Sequence, residues 1–253
     1  MPRVASRPRD FLRVSGPDAA SFLERMVSNA VEELPVGESR DALLLTPKAR
    51  VIAPLRVLRR AEDDYLLLTE PGLGDPVRRE LTRFRLASRA EIEPEEHTSY
   101  VVLGGADGGI PIPDYGVPAV EVLDERPEGE PVPPEELERL RIEARTPAWG
   151  KEIDDRVLPA EAGLVERAVS LTKGCFPGQE PIARLHYRGH ANRGLRVLAL
   201  DEPPADGAEV VHGEKVVGRV TSTVPGLVLA YVRVEVPEDA ELTVEGRSAR
   251  QLH

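Results

Sequence analysis

Cysteine is almost absent from this chain: there is one in 253 residues. A single cysteine excludes an internal disulfide and points to a reducing compartment, so a cytoplasmic location is expected. Aromatic residues make up only 4%, so the core must be built from Val, Leu, Ile and Ala. No apolar run approaches the roughly 20 residues that a membrane span needs. The opening MPRVASRPRD has three arginines and no apolar stretch, which argues against a secretory leader. Organellar transit segments lack acids but usually run longer than the nine residues before Asp10. Positive charge is also in short supply. Lys and Arg number 33 against 44 Asp and Glu, a net charge of −11. Such a chain is not a general nucleic-acid binder, and direct nucleic-acid contact is not expected.

What is present reads as soluble and globular, with 41% hydrophobic and 30% charged residues. The length suffices for one large domain or two or three small ones. SGPDAASFLERMV, from Ser15, begins with turn and cap residues. Its Phe22, Leu23, Met26 and Val27 recur at helical spacing. Apolar runs at 40–46 and 51–58 flank PKAR and predict a hairpin, with a third strand at 65–70. Asp75 and Pro76 predict a helix start, with Val77, Leu81 and Phe84 as its apolar face. EIE and SYVVLGG predict strands. GGADGG at 104–109 lacks the spacing of a nucleotide loop, and Pro111 and Pro113 forbid the helix that must follow one. A hairpin turn is expected there. The Pro- and acid-rich stretch 124–134 predicts a surface connection, then EELERLRIEAR a helix in which Glu135 reaches Arg139. Runs at 195–200, 208–212, 215–223, 227–234 and 241–245 predict a small all-β terminal domain of about five strands.

The chemistry is concentrated between Leu171 and Arg196. Cys175 lies between Gly174 and Gly178, with Lys173 two residues earlier. From Gly178 the chain can enter a helix through Gln179, Glu180 and Pro181. A thiol just before a helix N-terminus, with an ammonium nearby, should ionise more easily, and the thiolate is the nucleophile and metal ligand. The alternative is a buried, inert cysteine, the usual fate of a lone one. Its neighbours Gly, Pro, Lys and Gln make poor core, and the residues leave both readings open. Pro181 to Leu200 contains no acid but holds Arg184, Arg188, Arg193, Arg196, His186 and His190. That island is either a pocket for carboxylates or phosphates, or a solvated face pairing with the acids at 121–138. His186 and His190 have helical metal spacing, but Gly189 intervenes and no third ligand is close, so no metal site is expected. An iron–sulfur cluster takes about four thiolates, so any cluster here would be shared with a partner or held transiently.

KGCFPGQE, then Arg184, then Arg188-Gly189, resembles the signature of YgfZ-type proteins, relatives of the glycine-cleavage T-protein. VSGPDAASFL, RIEARTPAWGKEID, LPAEAGL and VVGRVTST are similar to further stretches of that group, so the resemblance covers most of the chain. It implies an α+β, T-protein-like fold in three parts around a central folate channel. The expected division is a discontinuous core domain of 1–40 and 121–190, a ferredoxin-like domain of 41–120 and a small β-barrel of 191–253. It implies a tetrahydrofolate-binding accessory factor for assembling or maintaining iron–sulfur proteins, including radical enzymes that modify tRNA. Cys175 and Lys173 would be the reactive pair. Glu143, Glu152, Gly178, Gln179, Glu180, Arg184 and Arg188 would contact the folate. Partners would be iron–sulfur client proteins or cluster carriers, with the chain monomeric and off the membrane.

The sequence departs from the group in three places. Where aminomethyl-transferring T-proteins carry an Asp-Asp pair, Ala53-Pro54 stand here, and neither can transfer a proton. Arg145 replaces a common Gly, and Phe176 a common Tyr. A one-carbon transferase using another acid, and a pure interaction module with a vestigial pocket, remain the rival readings.

Overall fold

Two short strands, β1 (Arg3–Ser6) and β2 (Asp10–Ser15), open the chain and part into different sheets. The computed structural model describes residues 1–105 and 108–252. After β2 come α1 (Ala19–Met26), β3 (Ser39–Leu45), β4 (Val51–Ala61), β5 (Asp64–Thr69), α2 (Gly74–Arg85) and β6 (Glu91–Glu95). Strands β3, β4, β5, β2 and β6 form one antiparallel sheet in that order. The hairpin and third strand therefore form as predicted. So does α1, which buries Phe22, Leu23 and Met26 against Leu12, Val57, Tyr65 and Leu67. Each such large apolar side chain contributes roughly 1.5–3 kcal/mol when removed from water. Helix α2 buries Val77 and Leu81 but leaves Phe84 41% exposed, so its apolar face is narrower than predicted. Asp75 lies inside this helix and does not cap it. The cap comes from a distant strand: Asp10 Oδ2 accepts from the N–H groups of Gly72 (2.9 Å) and Gly74 (2.8 Å).

Strand β3 is buried on both faces, which explains its unbroken apolar run. Ala42 and Leu44 join the core beneath α1, while Leu43 and Leu45 join a second core on the other side.

The second sheet takes its order from β10, β1, β7, β9 and β8, with β7 (Ser99–Leu103), β8 (Ile110–Pro111), β9 (Ala119–Leu123) and β10 (Glu130–Pro131). Both β7 and β8 pair with β9, so the 104–109 segment joins strands on either side of a third and is not a simple hairpin turn. Ala106 and Asp107 of that segment lie outside the described residues. The 124–134 connection is mostly exposed, yet it contributes β10, parallel to β1. The sheets also redraw the expected division. Residues 10–95 supply one sheet, and 3–6 join 99–131 in the other, so a boundary at 40/41 would cut through β3.

Helix α3 (Pro134–Glu143) has Pro133 and Pro134 at its start. Arg139 pairs with Glu143 (3.8 Å) and the Pro225 carbonyl instead of the predicted Glu135. Then come the single-turn α4 (Val165–Ala168) and α5 (Gln179–Arg188). The remainder is a closed barrel of six strands: β11 (Arg193–Ala199), β12 (Glu209–His212), β13 (Lys215–Val224), β14 (Leu227–Arg233), β15 (Leu242–Val244) and β16 (Arg247–Leu252). The sixth strand, RSARQL, escapes sequence reading because only Ala249 is fully buried and Leu252 is half-buried at its end. It pairs with β11 and closes the barrel, removing both open edges. No helix of the described residues is long and apolar enough to cross a membrane.

Candidate functional site: a fastened thiol loop beside a central cleft

Cys175 is exposed, and the chain on either side of it is fixed. Upstream, the Ser170 N–H donates to the Ser28 carbonyl at 2.9 Å. The Lys173 ammonium donates to the carbonyls of Glu24 (2.5 Å), Val27 (2.7 Å) and Asn29 (2.9 Å) around the end of α1. Its side chain is 2% exposed, with Glu24 Oε1 at 3.5 Å and the Phe176 ring centroid at 5.3 Å. Burial pushes the Lys173 pKa down, while Glu24 opposes that shift. Lys173 therefore acts as an anchor that closes the end of α1. Downstream, Phe176 is buried with Leu43, Leu164 and Ile182.

Gly178 is required by two constraints. Its φ is +82°, and a Cβ there would lie 2.7 Å from the Thr46 carbonyl oxygen and 3.0 Å from Ala49 Cα. The start of α5 is thus pressed onto the β3–β4 turn, as the Gly178-to-helix reading anticipates.

The other predicted contacts disperse. Gln179 is half-buried in the first turn of α5. Glu180 and Arg184 pair with each other on its exposed face at 3.4 Å. Arg188 is exposed at the end of the helix. Glu143 lies on the surface of α3, half-exposed and 3.8 Å from Arg139. Arg193 pairs with Glu161 (3.1 Å) and covers the Tyr231 ring, while Arg196 donates within the barrel to Gln251 and Val236. Of the basic island's arginines, these two belong to the internal structure, and their partners are not the acids at 121–138.

Glu152 is a clamp. Its side chain is fully buried. Oε2 accepts from Arg141 (3.0 Å) and the Ala148 N–H (2.9 Å), and Oε1 accepts from the Ser222 hydroxyl of β13 (2.6 Å). Its own carbonyl accepts from the Tyr231 hydroxyl at 2.8 Å. The carboxylate joins α3 to the barrel and offers no free oxygen to a ligand.

The cleft between the sheets is built by residues that sequence reading did not single out. Arg56 on β4 meets Asp41, its cross-strand neighbour on β3, at 2.6 Å. Arg7 meets Asp114 at 2.6 Å, and Arg9 meets Glu121 (3.1 Å) and Glu70 (2.8 Å). Arg167 on α4 bridges Asp41 (2.5 Å) and Asp114. Although burial opposes ionisation of Asp114, Arg7, Arg167 and Arg56 hold its carboxyl well below the usual range. Trp149, Leu43, Leu55 and Pro147 supply apolar walls. The only sequence signal was a lone charge inside the apolar run VIAPLRVL.

A wider groove of about 680 Å³ lies beyond Arg9. Three of its rim acids already serve as partners: Asp10 caps α2, while Glu95 and Asp124 hold the His97 ring at 2.8 and 2.7 Å.

The cleft carries the donor set a tetrahydrofolate needs: carboxylates for a ring's N–H edge, guanidinium groups for its carboxylate tail, and an indole beside them. Arg56 Nε is buried there without a partner. The residues fit in kind. The free volume is about 70 Å³, so side chains must part before a pterin-sized ring can enter.

Comparison with known proteins agrees with this architecture. Residues 10–105 match the family model described as GCVT N-terminal domain, and 192–251 match CAF17, C-terminal beta-barrel domain. The structure superposes on glycine cleavage system aminomethyltransferase T from Bartonella henselae with a TM-score of 0.85 and 21% identity, covering 100% of this chain and 85% of that one. The chain is 35% identical to an aminomethyltransferase of Symbiobacterium thermophilum over 122 residues, 44% of this chain and 32% of that protein. It is 26% identical to the tRNA-modifying protein YgfZ of Pectobacterium atrosepticum over 222 residues, covering 73% and 66%. The fold is therefore that of the aminomethyltransferases, a mixed α+β architecture ending in a closed barrel. In sequence the chain is similar both to aminomethyltransferases and to proteins named tRNA-modifying protein YgfZ.

Proposed function

We propose that this chain is a cytoplasmic, tetrahydrofolate-binding accessory factor for iron–sulfur proteins, and that Cys175 is the thiol meeting a client or its cluster. The observation that carries this reading is an exposed thiol on a loop anchored at Lys173, Phe176 and Gly178. A cysteine in a merely tolerated surface loop needs no such fastening. Relatives named tRNA-modifying protein support a role near tRNA-modifying enzymes.

Asp41, Asp114 and Trp149 would hold the pterin end of the folate, and Arg7 and Arg9 its anionic tail. A bound reduced folate supplies nitrogen atoms able to carry a one-carbon unit. The loop after α4 ties the cleft to the thiol. Ala168 lines the cleft, and its carbonyl accepts from the buried Ser28 hydroxyl at 2.6 Å. That hydroxyl also accepts the Leu43 N–H.

Calorimetric titration of tetrahydrofolate into wild type and Cys175→Ala tests the folate half, and both should bind alike. Loss of a cluster-dependent tRNA modification in cells carrying only Cys175→Ala tests the thiol half. No binding by wild type would leave the interaction-module reading in its place, and full function of the variant would remove Cys175 from the account.

A one-carbon transferase is the second reading, favoured by the Asp41 and Asp114 carboxylates inside the cleft. Ala53 is fully buried, and the Pro54 carbonyl accepts from the Thr69 hydroxyl, so neither serves as the missing acid. Both cleft carboxylates are tied to arginines. Turnover of a methylated amine with tetrahydrofolate as acceptor would establish this second reading.

A further inference from the structure

The geometry points to Arg167 as an internal stand-in for the ligand: its guanidinium occupies the place of a cyclic-guanidine ring edge on Asp41 and Asp114 and must swing out for such a ring to bind. This inference rests on the folate-binding reading and names the group recognised, the 2-amino-4-oxopyrimidine edge of a pterin.

Four observations carry it. First, Arg167 spans the two carboxylates through different nitrogens. Nε donates to Asp41 Oδ2 and Nη2 to Asp114 Oδ1. A planar unit with N–H groups on one edge is what a 2-amino-4-oxopyrimidine presents. Second, neither carboxylate depends on Arg167 alone. Asp41 keeps Arg56 and Asp114 keeps Arg7, each at 2.6 Å, so both retain a charge partner when Arg167 leaves. Third, Arg167 is the arginine of this cluster best placed to move. Its side chain is 27% exposed, against 16% for Arg7, 6% for Arg9 and 5% for Arg56. It is carried on the single-turn α4 rather than on a strand. Fourth, the cleft is nearly full while Arg167 is in place. Its free volume is about 70 Å³, where pockets for such molecules run to about 300 Å³ or more. The Nε of Arg56, which also lines this cleft, is buried without a partner and is a donor the closed state does not use.

A latch of this kind lowers apparent affinity by the fraction of molecules that are open. Removing it should therefore tighten binding. The test is calorimetric titration of the full chain with tetrahydrofolate, comparing wild type, Arg167→Ala and Arg167→Met. Binding about tenfold tighter in both variants is expected. Millimolar guanidinium chloride should weaken binding to Arg167→Ala more than equal sodium chloride does, because the free cation refills the vacated place. The 2-oxo analogue of pterin, lacking the amino donor, should gain nothing from the substitution. Should Arg167→Ala fail to fold, Arg167→Lys makes the same comparison, since it keeps the charge without the planar fork. If wild type binds and the folded variants bind equally or more weakly, the latch is wrong and the folate reading stands. If neither wild type nor variants bind, the folate reading falls and the latch falls with it.

Discussion

Lys173 and Cys175 stand two residues apart and are sent to opposite environments. The ammonium is buried against three carbonyls around the end of α1, and the thiol is exposed. The sequence places them together and suggests that the lysine keeps the thiolate ionised. The structure instead gives the lysine an architectural task, which is to hold the loop on which the cysteine is shown.

Lys173→Met should therefore act first on stability. It leaves the Glu24, Val27 and Asn29 carbonyls without their donor, at a cost of about 2–4 kcal/mol. Urea denaturation of the two proteins measures the difference. An unchanged midpoint would mean that the ammonium is not anchored.

Gly178→Ala combines a left-handed backbone with a contact of 2.7 Å to the Thr46 carbonyl oxygen. The expected loss is roughly 2–4 kcal/mol. Because α5 is then displaced from the β3–β4 turn, the rate of Cys175 alkylation by iodoacetamide in native buffer should change as well. Cys175→Ala, an exposed position, should leave stability within about 0.5 kcal/mol.

Glu152→Ala should be among the more damaging single changes, at about 3–5 kcal/mol. The Ser222 hydroxyl and the Ala148 N–H lose their acceptor in a site closed to water, and Arg141 loses one of its two carboxylates while keeping Glu138. Thermal unfolding reads the loss. If Glu152 were mainly a ligand contact, the melting temperature would hold and only affinity would fall.

Arg145 has φ +53°, a conformation in which a glycine is at ease and an arginine is strained. A glycine would occupy this position without strain. Arg145→Gly removes the strain but also the hydrogen bond to the Leu252 carbonyl at 2.9 Å. A net gain of about 0.5–1 kcal/mol is expected, seen as a higher melting temperature.

Acid should destabilise the protein over a defined window. The Arg60 hydrogen bond, helped by His97, takes Glu95 from its ordinary 4.5 down to about 2 against the opposing effect of burial. Burial opposes ionisation of Glu138, yet Arg141 and Lys151 bring it to about 2 as well. A folded-state pKa below the unfolded one means that the unfolded chain binds the proton more readily. The stabilisation is complete above the unfolded value and disappears as pH falls from about 4.5 to 2. Denaturation midpoints across that range should fall, and Glu95→Gln should flatten the slope.

The apolar patterns of α1, of β3 to β5 and of the barrel strands were legible because α1 buries a single stripe while the strands bury either alternate residues or, as in β3 and β5, an unbroken apolar run. The sixth barrel strand was not, since RSARQL draws its stability from pairing with β11 and β15 rather than from its own side chains. The α2 cap was also hidden, because Asp10 lies on a strand far back in the chain. Asp75 offered a local signal that the backbone did not use.

By itself the sequence determined most of the longer strands and helices, the single cysteine, and the glycine that starts α5. These follow from composition and from residues near one another along the chain. Tertiary structure decided which charges do what. It turned Lys173 into an anchor and Glu152 into a clamp, and it gathered Arg7, Asp41, Arg56, Asp114 and Arg167 into one cleft. A charge acquires its role from the partner it meets on burial, and those partners come from strands and turns that the order of the chain does not bring together.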